Sequence, residues 1–219
     1  MQKYLVGRKS KTVLEYGLFR RAEAVIQQFQ QPSFPKSCAV LDIGTADGLL
    51  LRGLMEYYEL NRCIGMDIRF GYLKAAKENV PYAIQADGKR LPFYENSVEV
   101  IISTAVFKHV RGLENLVKEC HRVLKPGGKL VVTDPTPLGI HLGLLLGYFS
   151  RKSIIQILSL RDTQQMLTDR GFTVINAERF MPSPIPFVGC DALERALKRM
   201  HLDRLFFNQI VCAECSTIN

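Results

Sequence analysis

The sequence predicts an α/β fold: a seven-stranded, mostly parallel sheet with an antiparallel last strand and helices on both faces. Two observations predict it. From residue 38 to residue 135, short apolar strands alternate with helical segments, the pattern of a parallel sheet covered on both sides. After residue 171 a strand, a proline-broken loop, a helix and a final strand follow, which adds a strand running against the others. The 219 residues are 47% apolar and 23% charged, enough for one domain with a full core. The expected division is a helical cap over residues 1–36, a first half over 37–135 and a second half over 136–219.

The elements come in this order. "KTVLEYGLFRRAEAVIQQFQ" (11–30) places Val13, Leu14, Leu18, Ala22, Val25, Ile26 and Phe29 at helical spacing. Arg8, Lys9, Lys11, Arg20 and Arg21 make this end basic, and "QPSFPKS" breaks it. Then "CAVLDIG" reads as a buried strand, "DGLLLRGLMEYY" as a helix, "RCIGMDI" as a strand, "GYLKAAKENV" as a helix and "YAIQAD" as a short strand. "VEVIISTA", "LENLVKECHRVL" and "GKLVVTDP" repeat strand, helix, strand. In the "KPGG" turn Pro126 stops the helix, and Gly127 and Gly128 are expected at positive φ. "RDTQQMLTDRG" is a helix closed by Gly171, "FTVINAERF" a strand, "MPSPIPFVG" a loop, "CDALERALKRMHL" an amphipathic helix and "FFNQIVCAECS" the last strand.

Composition excludes several classes. The longest apolar run, "PLGIHLGLLLGYF", has 13 residues with a histidine inside, short of the roughly 20 that cross a bilayer. "MQKYLVGRKSKTV" leads into no apolar stretch of a secretion signal. Among the six cysteines only Cys212 and Cys215 form a CxxC, on a strand where their side chains point to opposite faces, a poor zinc site. Six reduced thiols in a cytoplasmic protein is the expectation. The net charge of +8 is compatible with nucleic acid, an anionic membrane surface or an anionic substrate.

Function is concentrated at the strand ends. In "DIGTADG" Gly44 lets the backbone turn sharply beside a ligand, Asp47 is an N-cap and Gly48 lets the first helical turn come close. The G-x-x-x-G spacing is neither the dinucleotide fingerprint nor a phosphate loop. Asp42, ending the strand, sits badly beside a pyrophosphate and suits a cationic ammonium. Asp67 in "GMDI", 23 residues beyond Gly44, is placed to accept hydrogen bonds from ribose hydroxyls. Asp87 and Gly88 end the third strand, where they reach an adenine amino group.

The order and spacing of these pieces resemble the class I S-adenosylmethionine-dependent methyltransferases, and among them the ubiquinone/menaquinone, sterol and tocopherol branch (methyltransferase type 11). The resemblance covers about residues 36–135. It implies a Rossmann-like class I methyltransferase fold, S-adenosyl-L-methionine as donor and an in-line methyl transfer. Asp42, Gly44, Ala46 and Gly48 match the glycine-rich loop around the methionyl part. Asp67 matches the ribose acid, with Ile68 beside the adenine. Asp87 and Gly88 match the adenine-edge pair, and Ser103, Thr104 and Ala105 match the strand end facing the methionyl group. Where the family carries its middle glycine this chain has Ala46, tolerable at negative φ and costly at positive φ.

For a general base, which the reaction needs only if the acceptor must lose a proton, the candidates are His109, Asp134 and His141. His109 lies after the fourth strand, where the family often has a histidine, and it also serves there as a structural cap. The basic N-terminal helix and "HLGLLLGYFSRKS" fall where this fold builds its acceptor lid. An apolar lid with a basic flank suits a small-molecule acceptor that is hydrophobic, lipid-like or membrane-resident. An RNA methyltransferase using the basic surface, a non-catalytic donor-binding or interaction protein and a nicotinamide dehydrogenase are the competing readings. The glycine spacing argues against the last.

Overall fold

The computed structural model describes residues 12–31, 38–58, 60, 62–185 and 187–216. Arg8, Lys9, Lys11 and most of "QPSFPKS" lie outside the described residues. The seven strands are β1 (Ala39–Ile43), β2 (Arg62–Asp67), β3 (Tyr82–Gln85), β4 (Val98–Thr104), β5 (Leu124–Pro135), β6 (Phe172–Phe180) and β7 (Asn208–Cys215). They form one sheet in the order β3-β2-β1-β4-β5-β7-β6. The first five pair in parallel, and β7 enters antiparallel between β5 and β6. The chain winds outward from β1 to β3, then crosses back to β4. The loops after β1 and β4 therefore diverge, and in such sheets ligands bind in the crevice between them.

The helices are α1 (Thr12–Phe29), α2 (Leu49–Tyr58), α3 (Phe70–Ala76), α4 (Leu113–Val123), α5 (Pro137–Leu145), α6 (Leu160–Thr168) and α7 (Cys190–Arg199). Strand alternation divides the interior into two cores. Val40, Val100 and Ile102 pack with Val25, Leu51, Leu54 and Leu73 on one face of the sheet. Leu41, Ile43, Ile101 and Leu130 pack with Leu113, Leu116 and Val117 on the other. Cys212 and Cys215 fall into opposite cores, as strand geometry requires.

Local chemistry explains the boundaries. In α5, the Thr136 hydroxyl accepts from the Gly139 N–H at 3.1 Å and Pro137 opens the helix. A reciprocal Ser159–Asp162 capping box starts α6. Gly171 lies beyond the Asp169 C-cap of α6 at φ 84°. The "KPGG" turn departs from expectation. Gly127 takes φ 76°, but Gly128 is not left-handed. Its small size is what matters, because a Cβ there would lie 2.8 Å from the Lys125 carbonyl oxygen and 3.0 Å from that of Glu99. α1 is tied to α7 by the Arg20–Glu194 ion pair at 2.7 Å, both side chains nearly buried.

Candidate functional site

The loop after β1 is fastened to the end of β2. Gly44 and Thr45 both donate their N–H to the Met66 carbonyl, at 2.7 and 2.9 Å. Gly44 sits at φ 77°, and a Cβ on it would come within 2.3 Å of Val106 Cγ2 in the loop after β4. Ala46 takes φ 50°, the costly branch of the sequence expectation. An alanine there is about 1 kcal/mol worse than glycine. Its N–H donates to Asp67 Oδ2 at 3.2 Å, and the Arg69 N–H donates to Asp67 Oδ1 at 2.9 Å. Two backbone amides thus aim the Asp67 carboxylate, and each oxygen keeps lone-pair capacity. Asp47 Oδ1 accepts from the Leu49 N–H at 3.3 Å where α2 starts.

These loops wall a cavity of about 780 Å³ over the carboxyl ends of the parallel strands. Of the expected donor residues, Gly44, Ala46, Asp67 and Ile68 line one side. Asp87, Gly88, Thr104 and Ala105 line the other, and His109 stands at the same cavity. Ala105 is a second alanine at positive φ, 59°, held by its N–H to the Thr133 carbonyl at 2.7 Å. Backbone strain of this kind clusters at ligand sites and persists only where the surroundings enforce it.

Four expected residues lie behind the cavity wall. Asp42 is 2% exposed on the face of β1 opposite to cavity-lining Ile43. Burial pushes its carboxyl up to about 7, and the Asp67 and Asp47 charges add to the rise against the Thr45 hydroxyl. Its Oδ1 has no hydrogen-bond partner. Gly48 faces Val80 and Ala76 of the α3 region. Ser103 is fully buried. Asp134 is 7% exposed, with Oδ2 accepting from the Phe107 N–H at 3.0 Å and Oδ1 facing Lys108 Nζ at 3.2 Å. As placed it is a loop anchor, with its oxygens taken up, rather than a base facing an acceptor.

The other two base candidates separate clearly. His141 is exposed on α5 with Nδ1 2.6 Å from the Pro137 carbonyl of its own helix, and it lines neither cavity described here. His109 lies in a 3-10 turn, Phe107–His109, with Nδ1 2.5 Å from the Ser153 carbonyl. A carbonyl only accepts, so Nδ1 carries the proton and Nε2 keeps its lone pair. Burial, then the neighbouring Lys108 cation, hold this imidazole below the usual histidine range, so it is neutral at neutral pH.

A second, narrow cavity of about 90 Å³ adjoins the first. Gly139, Leu142 and Leu146 from α5 and its end face Pro184 and Phe207 across it. Tyr148 and Phe149 line both cavities. Sequence reasoning flagged the segment but not these two aromatics as a common wall; the adjacent pair at the end of an apolar run was the available signal. Lys108 and Val106 were missed too, because their partners Asp134 and Gly44 are distant in sequence.

The residues present fit an adenosine-bearing donor. The larger cavity falls in the size range of small-molecule sites. Asp67 offers acceptors for a pair of hydroxyls. Thr104 lines the cavity, and its buried Oγ1 has no hydrogen-bond partner. Among the described residues no group of three or more His, Cys, Asp or Glu side chains could hold a metal ion, and no helix is long and apolar enough to cross a membrane.

Comparison with known proteins agrees with this geometry. Residues 41–132 match the model of a methyltransferase domain family, methyltransferase type 11. The chain is 30% identical over 173 residues to malonyl-[acyl-carrier protein] O-methyltransferase 1 of Coxiella burnetii, covering 76% of this chain and 59% of the relative. It is 29% identical over 108 residues to the ubiquinone/menaquinone biosynthesis C-methyltransferase of Desulfotalea psychrophila, covering 47% and 44%. The chain thus spans about half the length of these relatives. An S-adenosylmethionine-dependent methyltransferase structure from Mesorhizobium loti superposes with a TM-score of 0.66 at 19% identity, over 88% of this chain and 97% of that one.

Proposed function

We propose that the chain is a class I S-adenosylmethionine-dependent methyltransferase, and that it methylates a small, hydrophobic, lipid-like acceptor held at or near a membrane. The observation that carries the acceptor class is the common wall: a small, mostly apolar cavity, lined also by Arg21 and Asn208, opens beside the donor cleft, and Tyr148 and Phe149 belong to both. An apolar chain lying in that cavity brings its head toward the donor. The two relatives are named for O- and C-methylation, so the family places no single acceptor atom.

S-adenosylmethionine supplies a methyl group on a sulfonium sulfur, and that S–CH₃ bond breaks as the bond from the acceptor nucleophile to carbon forms. The chain's own part is to hold the reactants in line and exclude water, which supplies much of the acceleration in such displacements. Asp67 orients the ribose, and the Gly44–Ala46 loop and the β4 end shape the methionyl pocket. His109 Nε2 takes the acceptor proton where the nucleophile carries one. RNA is the weaker reading, because the mostly apolar cavity beside the donor cleft suits an apolar acceptor.

The test is calorimetric titration with S-adenosylmethionine and S-adenosylhomocysteine, followed by methyl-transfer assays on quinone, acyl and phosphorylated lipid acceptors. Micromolar binding and transfer to an apolar acceptor are expected. No heat with either donor ligand would overturn the enzymatic reading in favour of a non-catalytic interaction protein.

A further inference from the structure

The larger part of the exposed apolar surface around the narrow cavity comes from two neighbouring segments. At the end of α5, Leu145 is 81% and Leu146 52% exposed, followed by exposed Tyr148. Across the cavity, Ile185 and Phe187 are exposed and Val188 is fully so. Leu146 and Pro184 line the cavity together, so the two segments form one rim. Folded proteins seldom leave large apolar side chains grouped in this way without a partner.

The two rim segments themselves carry only basic charge, and the acid that follows them, Asp191, is paired with Arg20 at 3.3 Å. From Pro135 to Arg161 there is no Asp or Glu, and from Arg179 to Cys190 there is none either. Arg151 and Lys152 are exposed at the end of the first segment, and neither forms an ion pair among the described residues. Ser150 and Ser153 beside them line the donor cleft. We propose that this rim seats the protein on an anionic lipid surface, with the apolar tips in the acyl boundary, Arg151 and Lys152 at the headgroups and the narrow cavity opening toward the bilayer. The inference rests on the lipid-like acceptor proposed above.

Charge complementarity selects this occupant. A second copy packed rim to rim about a two-fold axis would offer Arg151 and Lys152 no acid from either rim segment. An acidic carrier protein engages spaced cations, whereas this rim is mostly apolar with its cations at one edge. An anionic bilayer takes both features, since apolar burial and attraction to anionic lipid add.

The experiment is co-sedimentation of the full chain with vesicles of phosphatidylcholine alone and of phosphatidylcholine with about one third phosphatidylglycerol. Preferred binding to the anionic vesicles, weakening as salt is raised, is expected. Leu145→Glu/Val188→Glu and Arg151→Glu/Lys152→Glu should each lower partitioning by about tenfold or more. Calorimetric donor affinity, unchanged in both variants, shows that they are folded. Equal binding to neutral vesicles, binding that survives both variants, or a rim that instead captures an acidic carrier protein or a second copy would overturn the proposal. Absent vesicle binding with intact donor binding defeats this inference alone, whereas absent donor binding defeats the methyltransferase reading beneath it.

Discussion

The donor wall and the α5 wall of the cleft are built by opposite means. On the donor side the backbone is fixed by hydrogen bonds: Gly44 and Thr45 to Met66, Ala46 and Arg69 to Asp67, Ala105 to Thr133. Two alanines are held at positive φ there. On the α5 side the wall is apolar side chains, many half out in solvent, behind a loop rich in proline. A ligand recognised through directed polar contacts needs the first kind of wall. A ligand recognised through apolar area accepts the second, because hydrophobic burial has no direction.

Substitutions on the donor wall should sharpen the contrast, and the largest effect is expected at Gly44. Gly44→Ala puts a methyl 2.3 Å from Val106 Cγ2 at φ 77°. Overpacking and backbone strain together should cost about 2–4 kcal/mol by denaturant unfolding, and Val106→Ala in the same chain should restore part of it. Removing the hydrogen-bonding oxygens in Asp67→Ala should weaken donor binding by about 1–3 kcal/mol in calorimetry, the scale of hydrogen bonds to a charged group. If it changes nothing, the ribose role is wrong.

Asp42→Asn tests the buried acid. Its folded pKa, about 7, is raised, so its stabilising contribution is full below the unfolded value and lost as pH rises through 7. The amide should therefore stabilise the protein by about 1–2 kcal/mol at pH 8 and leave it unchanged at pH 4, while donor affinity moves less than at Asp67. Ala46→Gly should gain about 1 kcal/mol or less, as released strain offset by unfolded-state entropy, with tighter donor binding.

The smallest effect, on pH profile, belongs to His109. Its depressed pKa keeps the ring neutral above the usual value of about 6.5, so transfer should be flat above pH 7 and fall as pH drops through the folded value. His109→Gln should abolish that limb while donor affinity stays constant. A limb that remains would assign the proton transfer elsewhere.

All seven strands were legible as short runs rich in apolar and β-branched residues set off by helical or loop segments, whereas the strand order was not predicted. Most of the expected donor residues do line the larger cavity, since they sit at or just after strand ends. Asp42 was misplaced although the signal was present. Successive strand residues face opposite ways, so Ile43 at the cavity puts Asp42 behind it. Asp134 was not readable, because what occupies it is Lys108, a partner brought in by β4–β5 pairing. His141 was not readable because a helix as apolar as α5 gives no polar face from which to set its rotation.

The Lys108–Asp134 pair reaches beyond the cleft. Lys108 is 4% exposed, and burial lowers its pKa while Asp134 opposes that shift. A desolvated cation of this kind is tolerated only once its carboxylate is in place. The loop that carries Ala105 and His109 is thus docked through a β5 carboxylate, so removing Asp134 should loosen the mouth of the cleft as well as strand the buried lysine.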